Sequence, residues 1–191
     1  MQIDLLRYTP HPEALIASAY GICTGKDRVP LSQITHWIVK GHESPIEHAS
    51  ATFRIEGISR ACSHQLVRHR LASFSQRSQR YCTEEGWVPI VPATVERDAT
   101  AQQVFDMAVS HAKRLYLRLR RLDVPDEDAR FVLPNTTPTA MIMSANFREW
   151  LYIIRLRSTP EAQWEIRAVI LAVRECLEEI APHVFNKETI R

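Results

Sequence analysis

The sequence feature that most constrains the fold is a segment of strict alternation followed at once by helical spacing. In SATFRIEG (residues 50–57), the apolar side chains of Ala51, Phe53 and Ile55 alternate with polar ones, which is the period-two pattern of a half-buried strand. The residues that follow, ISRACSHQLVRH, place apolar side chains every four positions, which is typical of a helix. A strand that leads directly into a helix predicts a fold that mixes the two.

Helical spacing and turn signals account for most of the remaining chain. With only five glycines, the chain has no Gly-rich phosphate-binding loop. We expect a mixed α/β (α+β) fold in which long helices pack on a small central sheet, within a single domain spanning residues 1–191. Further strands are predicted at residues 3–8 and 139–146, and helices at residues 12–23, 31–41, 92–122, 125–134, 147–157 and 160–181.

The overall composition is that of an ordinary globular protein. The 191 residues are 45% hydrophobic and 24% charged, with a net charge of +2, which is sufficient for one sizeable core. The four cysteines are widely spaced and form no CxxC pair, so we predict neither a disulfide framework nor a metal site. The N-terminal residues lack an apolar signal core and no apolar run is long enough to span a membrane. We therefore expect a cytoplasmic protein with no membrane partner.

A stretch without acidic residues carries the most distinctive chemistry. Residues 57–83 contain five arginines and no Asp or Glu, whereas the rest of the chain is net acidic. Apolar residues are interleaved with these arginines, which indicates that the segment is packed, and packed arginines without acids need an anionic partner. An exposed basic loop and a nucleic-acid surface are the alternatives. Phe74 and Tyr81 could stack on bases, but a nucleic-acid-binding protein usually has a broader basic excess.

The order of residues within this stretch resembles a known signature. Arg68-His69-Arg70, seven residues, Ser78, one residue and Arg80 match the motif of the flavin-dependent thymidylate synthases. Five further segments resemble that family in the same order, so that the resemblance covers roughly residues 40–186. They are GHESPIEHASATF (41–53), HQLVRHR (64–70), ARFVLPN (129–135), NFREW (146–150) and RLRSTPEAQWEIR (155–167).

The resemblance implies a reaction, its cofactors and an assembly. Deoxyuridylate (dUMP) would be methylated to thymidylate (dTMP), with 5,10-methylenetetrahydrofolate as the carbon donor. FAD reduced by NADPH would supply the hydride, and a homotetramer would build each active site from several subunits. The alternative is a nucleotide- or nucleic-acid-binding module that uses the same arginines without redox chemistry.

The resemblance also implies roles for individual residues. Gln76 occupies a position where some members have Glu, and Tyr152 a position where Asn or His is expected. Arg157 matches the arginine at the pyrimidine edge, where a guanidinium would stabilise the negative charge that develops as the uracil N3 ionises. The implied FAD contacts are Ser44, Arg68, His69, Arg70, Gln76, Asn146, Arg148 and Tyr152, and the implied dUMP contacts are Gln65, Leu66, Val67, Arg68, Gln76, Arg77, Ser78, Gln79, Arg80, Arg130 and Arg157.

Overall fold

A computed structural model describes residues 1–191 and contains eight α-helices and four strands. The strands form one sheet in the order β1-β2-β4-β3, with β1 antiparallel to β2. A mixed fold with a small sheet is therefore confirmed. The elements are β1 (Gln2–Tyr8), α1 (Pro12–Cys23), α2 (Gln33–Val39), β2 (Ser50–Ser59), α3 (Arg60–Leu66), β3 (Ser73–Gln76), α4 (Ala93–Glu96), α5 (Ala99–Arg121), α6 (Asp126–Ala129), β4 (Pro138–Asn146), α7 (Phe147–Arg157) and α8 (Trp164–Ile180), with short 3-10 helices at Ser44–His48 and Arg130–Val132.

The chain divides into two compact units. The first unit consists of Met1–Glu56, Gln65–Ser75 and Met141–Arg191, and the second unit of Gly57–His64 and Gln76–Ala140. The acid-free stretch is therefore divided between the units: Gln65–Ser75 belongs to the first unit, whereas Gly57–His64 and the residues from Gln76 belong to the second.

The core of the first unit forms around α7 and α8. Trp150 is fully buried, packs edge-on against Phe53 with ring centroids 5.2 Å apart, and donates from Nε1 to the Ala51 carbonyl at 3.1 Å. The apolar stripe of α8, from Ile166 to Leu177, is buried as the helical spacing predicts. This packing fixes α7, from which several candidate site residues project.

Several elements differ from the prediction. The helix predicted over 125–134 is α6 followed by the 3-10 helix Arg130–Val132, and the helix predicted over 160–181 begins at Trp164. The single helix predicted over 92–122 is broken, because Asp98 has extended backbone angles and caps α5 by accepting from the Thr100 and Ala101 amides at 2.8 and 3.0 Å. The helix predicted after residue 57 begins at Arg60, because β2 continues through Ser59. None of the helices is both long and apolar enough to cross a membrane.

Candidate active site

His69 is the centre of the candidate site in the first unit. Its side chain is only 4% exposed, and its Nε2 accepts a hydrogen bond from Nε of Arg157 at 3.2 Å. Tyr152 meets the His69 ring edge-on, with centroids 6.2 Å apart. Arg157 and Tyr152 both belong to α7, so one helix positions two predicted site residues on one buried imidazole.

The environment of His69 keeps its ring neutral. Burial, with a further contribution from the positive charge of Arg157, lowers the pKa of His69 from 6.5 to about 4. A neutral imidazole has one nitrogen donor and one acceptor. Because Nε2 accepts from Arg157, the ring proton lies on Nδ1.

Arg68 and Arg70 flank this buried ring and are both exposed. The backbone forms two turns here, from the His69 amide to the Leu66 carbonyl and from the Ala72 amide to the His69 carbonyl. The two arginines are exposed and the histidine is buried. The packing predicted for this segment therefore holds for His69 but not for Arg68 and Arg70, because the chain turns here and leaves both guanidiniums at the surface. Neither guanidinium contacts an acidic side chain or a hydrogen-bond acceptor.

This arrangement fits a phosphorylated cofactor such as FAD. Two guanidiniums without acidic partners offer ten N–H donors in the planar geometry that suits phosphate oxygens. A pyrophosphate bound there would supply the negative charge that no acidic side chain provides to these two arginines. Arg68 and Arg70 are therefore the residues that would hold the phosphates.

The residues just before Arg68 differ in exposure. Leu66 is fully buried, Gln65 is partly buried and Val67 is 40% exposed. The side chain of Leu66 packs in the core, so only its backbone can contact a ligand. Of these three predicted contacts, Gln65 and Val67 have side-chain surface available.

Arg148 differs from Arg68 and Arg70 because acidic side chains already hold it. Its Nη1 donates to Glu47, and its Nε lies 3.6 Å from Glu43. The hydrogen bond to Glu47 is the main reason that the pKa of Arg148 is raised. Ser44 stands between these acids in the chain and is exposed. Asn146 caps α7, its Oδ1 accepting from the Glu149 amide at 2.9 Å.

The predicted nucleotide loop, Gln76–Arg80, lies in the second unit, where Gln76 ends β3 and the chain turns after Ser78. The Cys82 amide donates to the Ser78 carbonyl at 3.0 Å, and the Arg80 amide donates to Ser78 Oγ at 3.1 Å. Gln76 Nε2 donates to Ser63 Oγ at 2.9 Å and to Thr139 Oγ1 at 3.3 Å. An uncharged amide thus satisfies two hydroxyls at this position.

Two arginines of the predicted nucleotide loop have acidic partners from outside the acid-free stretch. Arg80 Nε lies 2.5 Å from Glu127 Oε2, and Arg77 Nη2 lies 3.8 Å from Oε2 of the buried Glu84. Arg130 is partly buried and donates from Nε to the Glu127 carbonyl at 2.9 Å. Glu127 therefore contacts two predicted nucleotide-binding residues, one through its side chain and one through its backbone.

Several buried polar atoms of the second unit have no hydrogen-bond partner. They include Arg60 Nε, Gln79 Nε2 and Glu84 Oε1. Burial lowers the pKa of Arg60, and the charge of Glu84 opposes that shift. Unpaired buried polar groups are costly and indicate a missing partner, which a polar ligand such as a nucleotide would provide.

The sequence alone did not identify the acidic residues of the site. Glu84, Glu127 and Glu149 each lie beside a predicted site residue, yet each is an unremarkable acid in the sequence. Glu149 is the most informative, because it lies in NFREW, one of the segments of the resemblance. No group of three or more His, Cys, Asp or Glu side chains is placed to hold a metal ion, and the absence of a metal site stays a prediction.

Comparison with known proteins gives a consistent result over nearly the whole chain. The family model described as thymidylate synthase complementing protein matches residues 4–183. The flavin-dependent thymidylate synthase of Geobacter sulfurreducens is 43% identical over 97% of this chain and 86% of its own length. The Clostridium tetani enzyme of the same name is 34% identical over the same shares.

A solved structure supports the fold independently. The crystal structure of the UMP/dUMP methylase PolB from Streptomyces cacaoi, bound with 5-Br dUMP, superposes with a TM-score of 0.86 and covers 96% of this chain and 92% of its own. At 24% identity, this similarity shows the fold alone. The family match and the curated relatives go further: the chain belongs to the flavin-dependent thymidylate synthase family.

Proposed function

We propose that this protein is an FAD-dependent methyltransferase that converts dUMP to dTMP for thymidylate biosynthesis. The carbon donor is 5,10-methylenetetrahydrofolate, and bound FAD, after reduction by NADPH, supplies the hydride. The observation that carries the proposal is the set of arginines around His69. Arg157 is held on a buried neutral imidazole, and Arg68 and Arg70 beside it have no acidic partner.

The first unit provides the residues that we assign to the cofactor. Arg68 and Arg70 bind its phosphates because their guanidiniums are exposed and uncompensated. His69 is too buried to offer more than an edge of its ring, so its main contribution is to hold Arg157. Ser44, Asn146, Arg148 and Tyr152 complete the set, and the exposed side chain of Tyr152, 53% accessible, has surface for a flat ring.

The second unit provides most of the residues that we assign to dUMP. Ser78, Arg80 and Arg130 suit the phosphate, because a hydroxyl and two guanidiniums can all donate to its oxygens. Gln76, Arg77 and Gln79 lie in the same loop, and the unpaired amide of Gln79 is free to donate to a polar ligand. The remaining assigned contacts, Gln65, Leu66, Val67 and Arg68, come from the end of α3 and the turn after it.

Arg157 is the residue that we assign to catalysis. Its hydrogen bond to His69 uses Nε, which leaves both terminal nitrogens of the guanidinium free to donate to a substrate. A fixed positive charge at the pyrimidine edge stabilises the anion that forms when N3 ionises. Ionisation makes the ring carbon C5 more nucleophilic, which is what transfer of a one-carbon unit requires.

The remaining assignments concern the protein as a whole. We propose a single functional domain over residues 1–191, a homotetramer with shared active sites, and a cytoplasmic location with no nucleic-acid or membrane partner. The tetramer has a simple test, because analytical ultracentrifugation distinguishes one chain of 22.0 kDa from an assembly of four.

The decisive experiment is an anaerobic assay. We expect purified protein to be yellow, NADPH to bleach the flavin absorbance, and dTMP to form when dUMP and methylenetetrahydrofolate are added. A protein that binds dUMP but cannot be reconstituted with FAD would contradict the enzyme proposal and support the non-redox module. The Arg157→Ala variant is the internal control, because it should keep the yellow colour while losing dTMP formation.

A further inference from the structure

Glu149 is a buried carboxylate to which the sequence gives no role. Its side chain is 6% exposed, and the only titratable group recorded beside it is His69, whose Nδ1 lies 3.8 Å from Oε1. No lysine or arginine pairs with it. Burial raises the pKa of Glu149, so keeping this acid inside the first unit has a cost that a neutral residue would avoid.

The helix cap does not explain the carboxylate. Glu149 contributes to the cap through its backbone amide, which donates to Asn146 Oδ1 at 2.9 Å, and any residue except proline has that amide. An acid in the first turn gains from the helix dipole, but an exposed position in the same turn would offer that gain without burial. The side chain therefore has another task.

The position of Glu149 relative to His69 defines that task. Arg157 donates to Nε2 on one side of the ring, and Glu149 faces Nδ1 on the other. With the proton on Nδ1, the ring presents N–H toward the carboxylate and a lone pair toward the guanidinium. With the proton on Nε2 instead, the Nε2–H of His69 would face the Nε–H of Arg157, and both contacts would be repulsive because the Nδ1 lone pair would then face the carboxylate.

We propose that Glu149 is a positioning residue that holds His69 in its Nδ1–H tautomer, so that Nε2 remains an acceptor and fixes the Arg157 guanidinium for catalysis. The second part rests on the proposed function, because it assigns Arg157 to the pyrimidine. Carboxylates hold imidazole tautomers in the same manner in hydrolytic triads. Here the imidazole presents a lone pair to an arginine rather than to a nucleophile.

The direct test reads the tautomer by nitrogen NMR of protein labelled with ¹⁵N-histidine. Protonated and unprotonated ring nitrogens have well-separated shifts, and a His69→Asn sample identifies the His69 signals. We expect wild-type His69 to be protonated at Nδ1 only, and the Glu149→Gln variant to contain a substantial Nε2–H population, because an amide can donate to Nδ1. A wild-type ring protonated at Nε2, or an unchanged tautomer in Glu149→Gln, would overturn the proposal.

Kinetics provides the second readout. Glu149→Gln should lower kcat for dTMP formation by about 10- to 100-fold, the usual effect of losing a group that orients a functional side chain, with little change in FAD affinity. Glu149→Asp, which keeps the charge but withdraws it by one methylene, should recover part of kcat and part of the Nδ1–H signal. A fall in kcat with no change in tautomer would also overturn the proposal.

A matched control separates positioning from stability. Glu165 is likewise a buried acid in the first turn of a helix, α8, in the same unit. Glu165→Gln should leave the His69 tautomer and kcat unchanged even where it lowers the melting temperature. If Glu149→Gln does not fold, the wild-type spectrum and Glu149→Asp decide the question. Failure to make dTMP at all would refute the proposed function while leaving the tautomer measurement intact.

Discussion

The contact between Arg80 and Glu127 predicts that removing an acid will tighten substrate binding. Arg80 is assigned to the dUMP phosphate, and its Nε lies 2.5 Å from Glu127 Oε2. The carboxylate therefore competes with the phosphate for the positive charge of this guanidinium. Glu127→Gln removes the competing charge while preserving the shape of the side chain and its backbone hydrogen bond with Arg130.

The structure sets the size of the effect. The side chains of Arg80 and Glu127 are 58% and 42% exposed, and exposed ion pairs contribute about 0.2–1 kcal/mol. If dUMP binding to the wild-type protein loses the free energy of this ion pair, Glu127→Gln should lower the Kd for dUMP by about 1.4- to 5-fold. The gain should shrink as salt is added, because exposed pairs are screened.

Isothermal titration of dUMP into the oxidised enzyme measures this change, and two controls isolate the contact. Asp128→Asn removes a neighbouring negative charge of α6 that has no recorded partner, so it reports the general effect of charge. In an Arg80→Ala background, Glu127→Gln should have no effect beyond that of Asp128→Asn. An unchanged or weaker Kd in Glu127→Gln, or equal tightening in Asp128→Asn, would refute the competition.

Three further outcomes follow from the first unit. Arg157→Ala should abolish dTMP formation and leave FAD bound, as judged by the flavin spectrum after gel filtration; normal turnover would remove its assignment. Arg70→Ala should raise the Kd for FAD about 10-fold or more, because hydrogen bonds to charged groups contribute about 1.5–3 kcal/mol; equal FAD affinity, with weaker dUMP binding, would move it to the nucleotide. The apo protein should lose stability as the pH falls from 6.5 to about 4, the ordinary and folded pKa values of His69, because the unfolded chain binds a proton there that the folded chain does not. The loss is at most about 3–4 kcal/mol. Glu149 opposes it, because a raised pKa means that protonation of this carboxyl favours folding. Urea titrations of His69→Asn should show a smaller pH dependence in that window.

Local patterns predicted those parts of the fold that local forces determine. The helices at Pro12–Cys23 and Phe147–Arg157 occur with the predicted bounds, because each has a clear start signal, Pro12 and Asn146, and continuous apolar spacing. The break before α5 was missed, since Asp98 is equally compatible with a helix interior until its side chain is seen to cap the Thr100 amide. Strand β3 was missed because its four residues, SFSQ, are too short and too polar to show a strand pattern.

The site was predictable to the extent that a motif encodes it. Arg68, His69 and Arg70 follow the motif, but the burial of the histidine between two exposed arginines comes from the turns of the backbone here. The motif says nothing about which arginines carry acidic partners, because Glu84 and Glu127 come from other parts of the chain. Ion pairing depends on tertiary contacts between residues far apart in the chain, and these contacts cannot be read from a short segment of sequence.

These partners distinguish two pairs of arginines within the acid-free stretch. Arg68 and Arg70, in the first unit, have no acidic partner, whereas Arg77 and Arg80, in the second unit, have Glu84 and Glu127. Under the proposed assignments the first pair serves a cofactor that stays bound and supplies the missing charge continuously. The second pair serves a substrate that enters and leaves in each turnover, so a nearby carboxylate must replace the phosphate when the product departs. Within the acid-free stretch, the cofactor pair therefore needs no acid and the substrate pair needs an exchangeable one. Arg148, which lies outside that stretch, keeps Glu43 and Glu47 as partners.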